Sequence, residues 1–209
     1  MADILLDTQG APATPGAGKL IAYPNSVSKQ LTAKNENGRS FALDGVLRNW
    51  NTAAVVANAA DTYLGSPLVI PDYGLQAGAT FRWRFAMSKT GAGVAAPTWS
   101  IRSGTLGTVA DSQKILFTSP VPQTAVIDQG IVEIMAIIYG TGVGAIIAGS
   151  LKLDHNLAAT GFATQQVVVL QVNGNIDTTI ANLIVGVSCN PGSAGVWTHQ
   201  LVAAEVSNM

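Results

Sequence analysis

Charged residues are scarce in this 209-residue chain: they make up 11% of it, where globular proteins average roughly 25%. Eleven Lys and Arg nearly balance twelve Asp and Glu, which leaves a net charge of −1. The sequence therefore lacks both the basic patch of a nucleic-acid-binding protein and the high net charge of a disordered segment. Hydrophobic residues reach 48%. We expect a surface with so few charges to be partly buried against other subunits.

Cysteine and histidine are also nearly missing. Cys189 is the one cysteine, so it has no partner for an intrachain disulfide, and no Cys/His cluster has the spacing of a zinc site. His155 lies between Asp and Asn after an apolar run. His199 falls on the same face of a strand pattern as Trp197, where a core or interface role is commoner than metal binding. The sequence predicts no metal and no cofactor.

Motifs for catalysis are lacking as well. Residues 16–20 resemble part of a phosphate-binding loop, but they lack its earlier glycine and its Ser or Thr after the lysine. The acidic residues stand singly, so no carboxylate pair is marked for glycoside hydrolysis, and nothing places a serine beside a histidine. These absences predict that the protein is not an enzyme. The alternative from another class is a small depolymerase or esterase.

What the sequence does contain is the alternation typical of β-strands. In residues 80–87, Phe81, Trp83 and two further apolar residues share one face, and Arg82 and Arg84 share the other. Such segments recur without helices between them, which predicts an all-β chain whose main part is an antiparallel, jelly-roll-like β-sandwich. The predicted strands of this part are 80–87, 97–102, 114–118, 123–127, 131–138, 145–153, 164–172, 180–188 and 195–206.

Two segments allow other interpretations. Residues 51–63 are rich in alanine and predict either a short helix or an extended connector. Residues 131–151 are long and apolar enough to suggest a transmembrane span. A run of glycines lies at their centre, however, and this favours two strands, 131–138 and 145–153, joined by a turn. No membrane partner is expected.

The first 48 residues differ in composition from the rest. Prolines and glycines separate three short apolar pieces, and Asn37-Gly38 between two of them is a strong hairpin signal. A few such strands cannot bury a core alone. The sequence therefore predicts an N-terminal attachment or trimerisation β-hairpin module at 1–48, a connector at 49–61 and the sandwich at 62–209. The candidate attachment residues, which need apolar partners outside the module, are Leu20, Tyr23, Leu31, Phe41 and Leu43.

The tryptophans and arginines suggest two kinds of contact. Trp50, like the other three tryptophans, could stack on a sugar, but the other three lie in strand patterns where core packing is expected. Arg82, Arg84 and Arg102 lie on the opposite strand faces. There they could pair with acidic residues of a neighbouring subunit.

The N-terminal region also carries a distinctive spacing: Thr14-Pro15-x-x-Gly18-x-x-x-x-Tyr23, then Lys29-Gln30-Leu31-Thr32-Ala33-Lys34-x-x-x-Gly38-x-x-x-x-Leu43. This pattern resembles a module found near the N-termini of tail fibres, minor tail proteins and head fibres of tailed bacteriophages. Segments 60–64, 78–85, 96–99, 154–162 and 196–200 resemble the C-terminal domain of small phage structural proteins. The resemblance covers nearly the whole chain. It implies a virion protein and a trimer, and it implies no catalytic residues.

We therefore expect a trimeric capsid decoration or head-fibre protein, located on the virion and assembled in the host bacterial cytoplasm. Its partners would be two further copies of itself and other virion proteins, either the major capsid protein or tail proteins. No internal repeat of the kind that builds a fibre shaft is visible. The alternative is a short tail fibre or tail-tip receptor-binding protein that recognises a host surface polysaccharide. No nucleic-acid partner is expected.

Overall fold

The computed structural model describes residues 12–17, 19, 21–24, 31–34, 40–42, 46–57, 60–70, 74–90, 95–119, 125–157, 160–162, 167–192 and 197–207. Every regular element in these ranges is a β-strand. The strands are β1 (Ile21–Pro24), β2 (Leu31–Lys34), β3 (Ser40–Ala42), β4 (Val46–Asn51), β5 (Val55–Ala57), β6 (Thr62–Tyr63), β7 (Leu68–Val69), β8 (Thr80–Lys89), β9 (Thr98–Gly104), β10 (Ser112–Thr118), β11 (Asp128–Ile138), β12 (Ala145–His155), β13 (Val167–Ile176), β14 (Ile184–Asn190) and β15 (Trp197–Ser207).

The strands form three antiparallel sheets. A small N-terminal sheet has the order β1-β2-β3. The large sheet has the order β13-β12-β11-β8-β15-β4, and β5 pairs with β15 beside β4. The third sheet has the order β10-β9-β14-β6, and β7 also pairs with β14. The predicted class is confirmed: the chain is all-β, and a small N-terminal β module precedes an antiparallel β-sandwich.

The core lies between the large sheet and the β10-β9-β14 sheet. The alternation predicted for β8 is confirmed, because Phe81 and Trp83 are fully buried while Arg82 and Arg84 are exposed. Trp99 of β9 meets Trp197 of β15 edge-to-face, with ring centroids 6.5 Å apart. Large buried side chains contributed by both sheets are Phe81, Trp83, Phe85, Trp99, Phe117, Leu151, Val187 and Trp197. The sandwich is therefore held together mainly by aromatic and branched apolar burial.

The apolar run at 131–151 forms the predicted hairpin. Strands β11 and β12 pair from Gly130↔His155 to Ile138↔Ile147, and Tyr139 N donates to Ile146 O at 2.9 Å just beyond the last pair. Among the residues that the structure describes, no helix has the length and apolar character needed to cross a bilayer.

The structure decides between the two interpretations left open for 51–63, and it corrects two other predictions. The described part of 51–63 is extended and not helical, since it ends β4 and contains β5 and β6. Residues 49–61, predicted as a connector, belong in part to the large sheet because β4 and β5 both pair with β15. Residues 125–127, predicted as the end of a strand, form a bend instead.

Strand β15 carries a bulge that lets it pair with two strands on one side. Its register against β8 shifts between Gln200 and Ala203. Leu201, inside the bulge, has a φ of 54° and is 64% exposed. Residues before the bulge pair with β5 and residues after it pair with β4. A left-handed conformation is uncommon for leucine, so the backbone is locally strained at this point.

Candidate functional site

The N-terminal sheet contains the described part of the predicted attachment set. Tyr23 in β1 is fully buried, and so is Ala33 in β2. The Lys34 ammonium donates to the carbonyl of Pro12 at 2.7 Å, which ties the proline-rich lead to this sheet. Leu31 and Phe41 lie in β2 and β3, but their side chains are outside the described residues, as are Leu20 and Leu43. The attachment role of these five residues stays a prediction.

The outer face of the large sheet carries a second feature, an exposed apolar surface on β11, β12 and β13. Alternate residues of β11 point into the core, and the residues between them face outward. The strand register places the outward residues beside those of β12 and β13. We call this surface the apolar face; it consists of Ile131, Met135, Ile137, Ile146, Val167 and Val169, all exposed by a third or more. The exposed Tyr139 and Val143 extend it at the hairpin tip.

Charged side chains lie within the apolar face: Asp154 lies between Ile131 and Val167 in the strand register, and Glu133 lies opposite Lys152 in the next row. Lys152 Nζ lies 2.8 Å from Asp154 Oδ2 on β12, and Arg82 Nη2 lies 3.2 Å from Glu133 Oε2 across β8 and β11. Both pairs are formed by partly exposed side chains of the same sheet face. These charges divide the apolar face: Met135, Ile137 and Ile146, toward the hairpin tip, are paired with uncharged residues of the adjacent strands β12 and β13, whereas Ile131, Val167 and Val169 lie beside charged ones.

A third feature, the Trp50–Arg84 groove, lies on the same sheet but on β4, β15 and β8. Trp50 is opposite Ala203, and Ala203 is opposite Arg84 in the adjacent strand pair. Because the small Ala203 separates two long side chains, a groove of about 200 Å³ opens between them; it is also lined by Arg48, Asn49, Arg82, Ala204 and Glu205. Trp50 is 59% exposed, whereas Trp83, Trp99 and Trp197 are buried. The predicted core role of these three is confirmed, and only Trp50 is available at the surface.

The predicted pairing of arginines with a neighbouring subunit is corrected for two of the three. Arg82 pairs with Glu133 of its own chain. Arg102 binds the Asp61 carboxylate and donates to Ser188 Oγ at 2.8 Å and to the Asp111 carbonyl at 2.7 Å. These contacts fasten the 105–111 loop and the segment before β6 to the outer side of β9 and β14. Arg84, by contrast, forms no ion pair within the described residues.

The two histidines lie inside the protein. His155 Nδ1 lies 2.7 Å from Asp128 Oδ2, and both side chains are fully buried. His199 is fully buried against Phe85, with ring centroids 5.5 Å apart. Burial lowers the pKa of His199 to about 4, because the charged imidazolium would lose its hydration. His199 is therefore neutral near pH 7, and both histidines belong to the interior, as the sequence indicated for His199. Within the described residues, no group of three His, Cys, Asp or Glu side chains could hold a metal ion.

The Trp50–Arg84 groove does not follow from the sequence patterns. The composition around Trp50 predicts a connector, and a connector assigns no strand neighbour to this residue. The signal available was the alternation in Leu47-Arg48-Asn49-Trp50, which predicts that Arg48 and Trp50 share a strand face. The structure places them together on the outer face of β4.

Comparison with known proteins assigns no family and no function to this geometry. Neither a family model nor a curated protein matches the chain. Among solved structures, the chain is similar to a lectin from Bauhinia forficata in complex with GalNAc, at a TM-score of 0.36 and 11% identity. The alignment covers 92% of this chain and 94% of the lectin. The sandwich itself is defined by the strand pairings of this chain.

Proposed function

We propose that this chain is a non-enzymatic structural protein of a tailed-bacteriophage virion, a capsid decoration or head-fibre protein that acts as a homotrimer on the particle surface. The observation that carries the proposal is the apolar face, which a second and third copy of the chain would cover. The motif spacing in the N-terminal region supports the phage class. The N-terminal sheet then attaches the trimer to a capsid or tail protein.

The apolar face supports self-association for two reasons. Near the hairpin tip, Met135, Ile137, Tyr139 and Ile146 are exposed at neighbouring positions, and burial of such an apolar patch against a partner is favourable. The part nearest the hairpin tip, with Met135, Ile137 and Ile146, can be buried while Glu133, Lys152 and Asp154 farther along the strands stay hydrated. Identical copies are the simplest partners for a chain with 11% charged residues, because in a closed trimer the same head-to-tail contact is repeated three times and every copy buries the same surfaces.

The first test is the oligomeric state. Light scattering coupled to size exclusion should give about three times the 21.5 kDa monomer mass for the full chain. Ile137→Lys should shift the protein toward monomer, because it places a charge in the apolar face. Leu116→Lys is the matched control, since Leu116 is exposed to nearly the same extent (38% against 36%) on β10 of the other sheet. A monomeric wild-type chain, or equal masses for the two variants, would contradict the proposed face.

The second test is location on the particle. Quantitative mass spectrometry of purified virions should find the chain in hundreds of copies if it decorates the capsid. Tens of copies or fewer would favour the alternative, a short tail fibre or tail-tip protein that recognises a host surface polysaccharide. The exposed Trp50 beside Arg84 is the observation that favours this alternative. Absence of the chain from virions would reject both assignments.

A further inference from the structure

The Trp50–Arg84 groove has the dimensions of a site for one small ring. Trp50, Ala203 and Arg84 form a row across three adjacent strands. Two strand spacings separate the outer residues, so their Cα atoms lie roughly 10 Å apart. The groove has a volume of about 200 Å³, well above the minimum that a single water needs, roughly 10–15 Å³. One sugar residue fits such a space, and an extended polymer can continue beyond it because the groove is open.

The charges around the groove favour an anion. Its lining contains Arg48, Arg82 and Arg84 and one carboxylate, Glu205, and a second carboxylate, Glu133, lies opposite Arg84 on β11, so the positive charges exceed the negative ones by one. Glu205 Oε2 lies 3.8 Å from Arg48 Nε, and Arg82 is paired with Glu133 outside the groove. The guanidinium of Arg84 has no such partner within the described residues and adjoins the groove. A guanidinium binds a carboxylate through two parallel N–H···O bonds, so Arg84 can select a ligand that carries one.

The wall of the groove opposite Arg84 is the Trp50 indole, and it favours a ligand with a flat apolar face. The Trp50 indole is more than half exposed, although tryptophan is normally among the well-buried residues. The small Ala203, opposite Trp50 in the strand register, leaves the indole uncovered on the groove side. A pyranose ring presents a face of C–H groups that packs on an indole, while its hydroxyl groups stay in water. An aromatic wall with one cationic group opposite therefore matches a sugar that is apolar on one face and carboxylated at its edge.

The backbone beside the groove has the features of a functional position. The bulge of β15 ends at Ala203, directly at the groove floor, and Leu201 within it has a φ of 54°. Bulges bend and twist a sheet locally and occur often beside binding sites. Strain of this kind persists only where the surrounding structure enforces it. Here the bulge sets the position of Ala203 relative to Arg84 and Trp50.

From these observations we infer that the Trp50–Arg84 groove binds a carboxylated sugar residue, that is, a uronic acid within an acidic polysaccharide. Trp50 packs on the ring face and Arg84 holds the carboxylate. Arg48 and Arg82 supply a positive field that attracts the polymer. This inference names the ligand class for the receptor-binding alternative. It does not depend on the apolar face, so the two can be tested and rejected separately.

The test uses the full chain and trigalacturonate as the probe, with the neutral trisaccharide maltotriose as the comparison. Trp50 is the one exposed tryptophan of the four, so acrylamide quenching of tryptophan fluorescence reports on the groove. Trigalacturonate should protect Trp50 from quenching, and added salt should weaken its binding. Maltotriose should give little protection. Failure of trigalacturonate to bind, or equal binding of maltotriose, would overturn the inference.

Substitutions at Arg84 and Trp50 test the contributions of the two groove walls to binding separately. Arg84→Gln should weaken trigalacturonate binding about tenfold by calorimetry, the loss expected for one charge-assisted contact. Trp50→Ala should reduce it at least as much, and Trp50→Phe should retain most of it. Lys152→Gln, an exposed cation elsewhere on the same sheet face, is the matched control and should bind as the wild type does. Equal losses for Arg84→Gln and Lys152→Gln would show nonspecific charge attraction and reject the site. Trp50, Arg84 and Lys152 are all exposed, so their substitution should leave the fold intact. Circular dichroism and an unchanged oligomer mass verify this for each variant.

Discussion

The imidazole of His155 and the carboxylate of Asp128 form a fully buried pair, with Nδ1 and Oδ2 2.7 Å apart. The pair joins the beginning of β11 to the end of β12. Asp128 Oδ2 also accepts from the backbone N–H of Phe162 at 3.0 Å, and Oδ1 accepts from Gln129 N–H at 2.8 Å. One carboxylate thus satisfies donors from three segments at the end of the sandwich. A buried carboxylate is tolerated only with such complete pairing.

The first prediction concerns this pair. Asp128→Ala should lower the free energy of unfolding by about 3 kcal/mol, because it leaves buried donors of His155 and Phe162 without an acceptor. Asp154→Ala is the control; its carboxylate pairs with exposed Lys152 and should contribute less than about 1 kcal/mol. Urea denaturation followed by circular dichroism measures both. Equal effects of the two substitutions would show that the buried His155–Asp128 pair contributes no more to the free energy of unfolding than an exposed ion pair does.

The second prediction is a pH dependence caused by His199. The unfolded chain binds a proton at this histidine near pH 6.5, whereas the folded chain binds it only near pH 4. Between these values the unfolded state holds more protons, so stability falls as the pH falls through this window. The loss attributable to His199 should reach about 3 kcal/mol below pH 4. Urea denaturation from pH 7 to pH 4 should show it in the wild type and not in His199→Leu. Parallel curves for the two proteins would contradict the prediction.

The third prediction compares two buried tryptophans, Trp83 and Trp99, with the exposed Trp50. Trp83 stacks on Phe81, with ring centroids 5.6 Å apart, and is fully buried. Trp83→Ala should cost about 3–5 kcal/mol, and Trp99→Ala a similar amount, because each leaves a large cavity in the core. Trp50→Ala removes the same side chain from the surface and should change stability by less than about 0.5 kcal/mol. Unfolding followed by circular dichroism gives the three values. A small effect at position 83 would argue against the core assignment of β8.

The fourth prediction concerns how much of the chain the sandwich needs. The fragment 46–209 keeps β4 and β5 and should unfold cooperatively with a β-rich spectrum. The fragment 58–209 lacks both strands, so it exposes one side of β15 and should be much less stable or insoluble. Neither fragment contains the N-terminal sheet, and 46–209 should fail to rebind particles stripped of the protein. Rebinding of 46–209 at full affinity would place attachment in the sandwich.

The sequence predicted the central strands well because their alternation is strong. Strand β8 alternates buried and exposed residues along most of its length, so pattern and structure agree there. Strand β4 was missed because its inward positions include Asn49 and Asn51, which look like loop residues. Their side-chain amides donate to the carbonyls of Pro67 at 2.7 Å and Leu64 at 3.3 Å, and thereby hold the β6–β7 segment. Local hydrophobicity could not reveal a strand whose inner face binds backbone carbonyls.

The groove could be predicted only in part. That Arg82 and Arg84 face away from the core followed from the alternation of β8. The proximity of Trp50 to Arg84 could not be predicted from the sequence. The two residues are neighbours only because β15, from the end of the sequence, pairs with both of their strands through Ala203. Strand order in an antiparallel sheet depends on nonlocal pairing, which a single sequence does not encode in any local pattern.

The edges of the sandwich determine how copies of the chain can meet at high concentration. On one side, the bulge at Leu201 divides the outer edge between β4 and β5, so the described residues offer no long straight row of free backbone groups there. On the other side, β10 closes over β13 so tightly that a Cβ atom on Gly174 would lie 1.9 Å from the Lys114 carbonyl oxygen. Both devices oppose the addition of a foreign strand. The two edges of the large sheet are therefore poor templates for a further strand, so contacts between copies at these edges depend on side chains more than on backbone pairing.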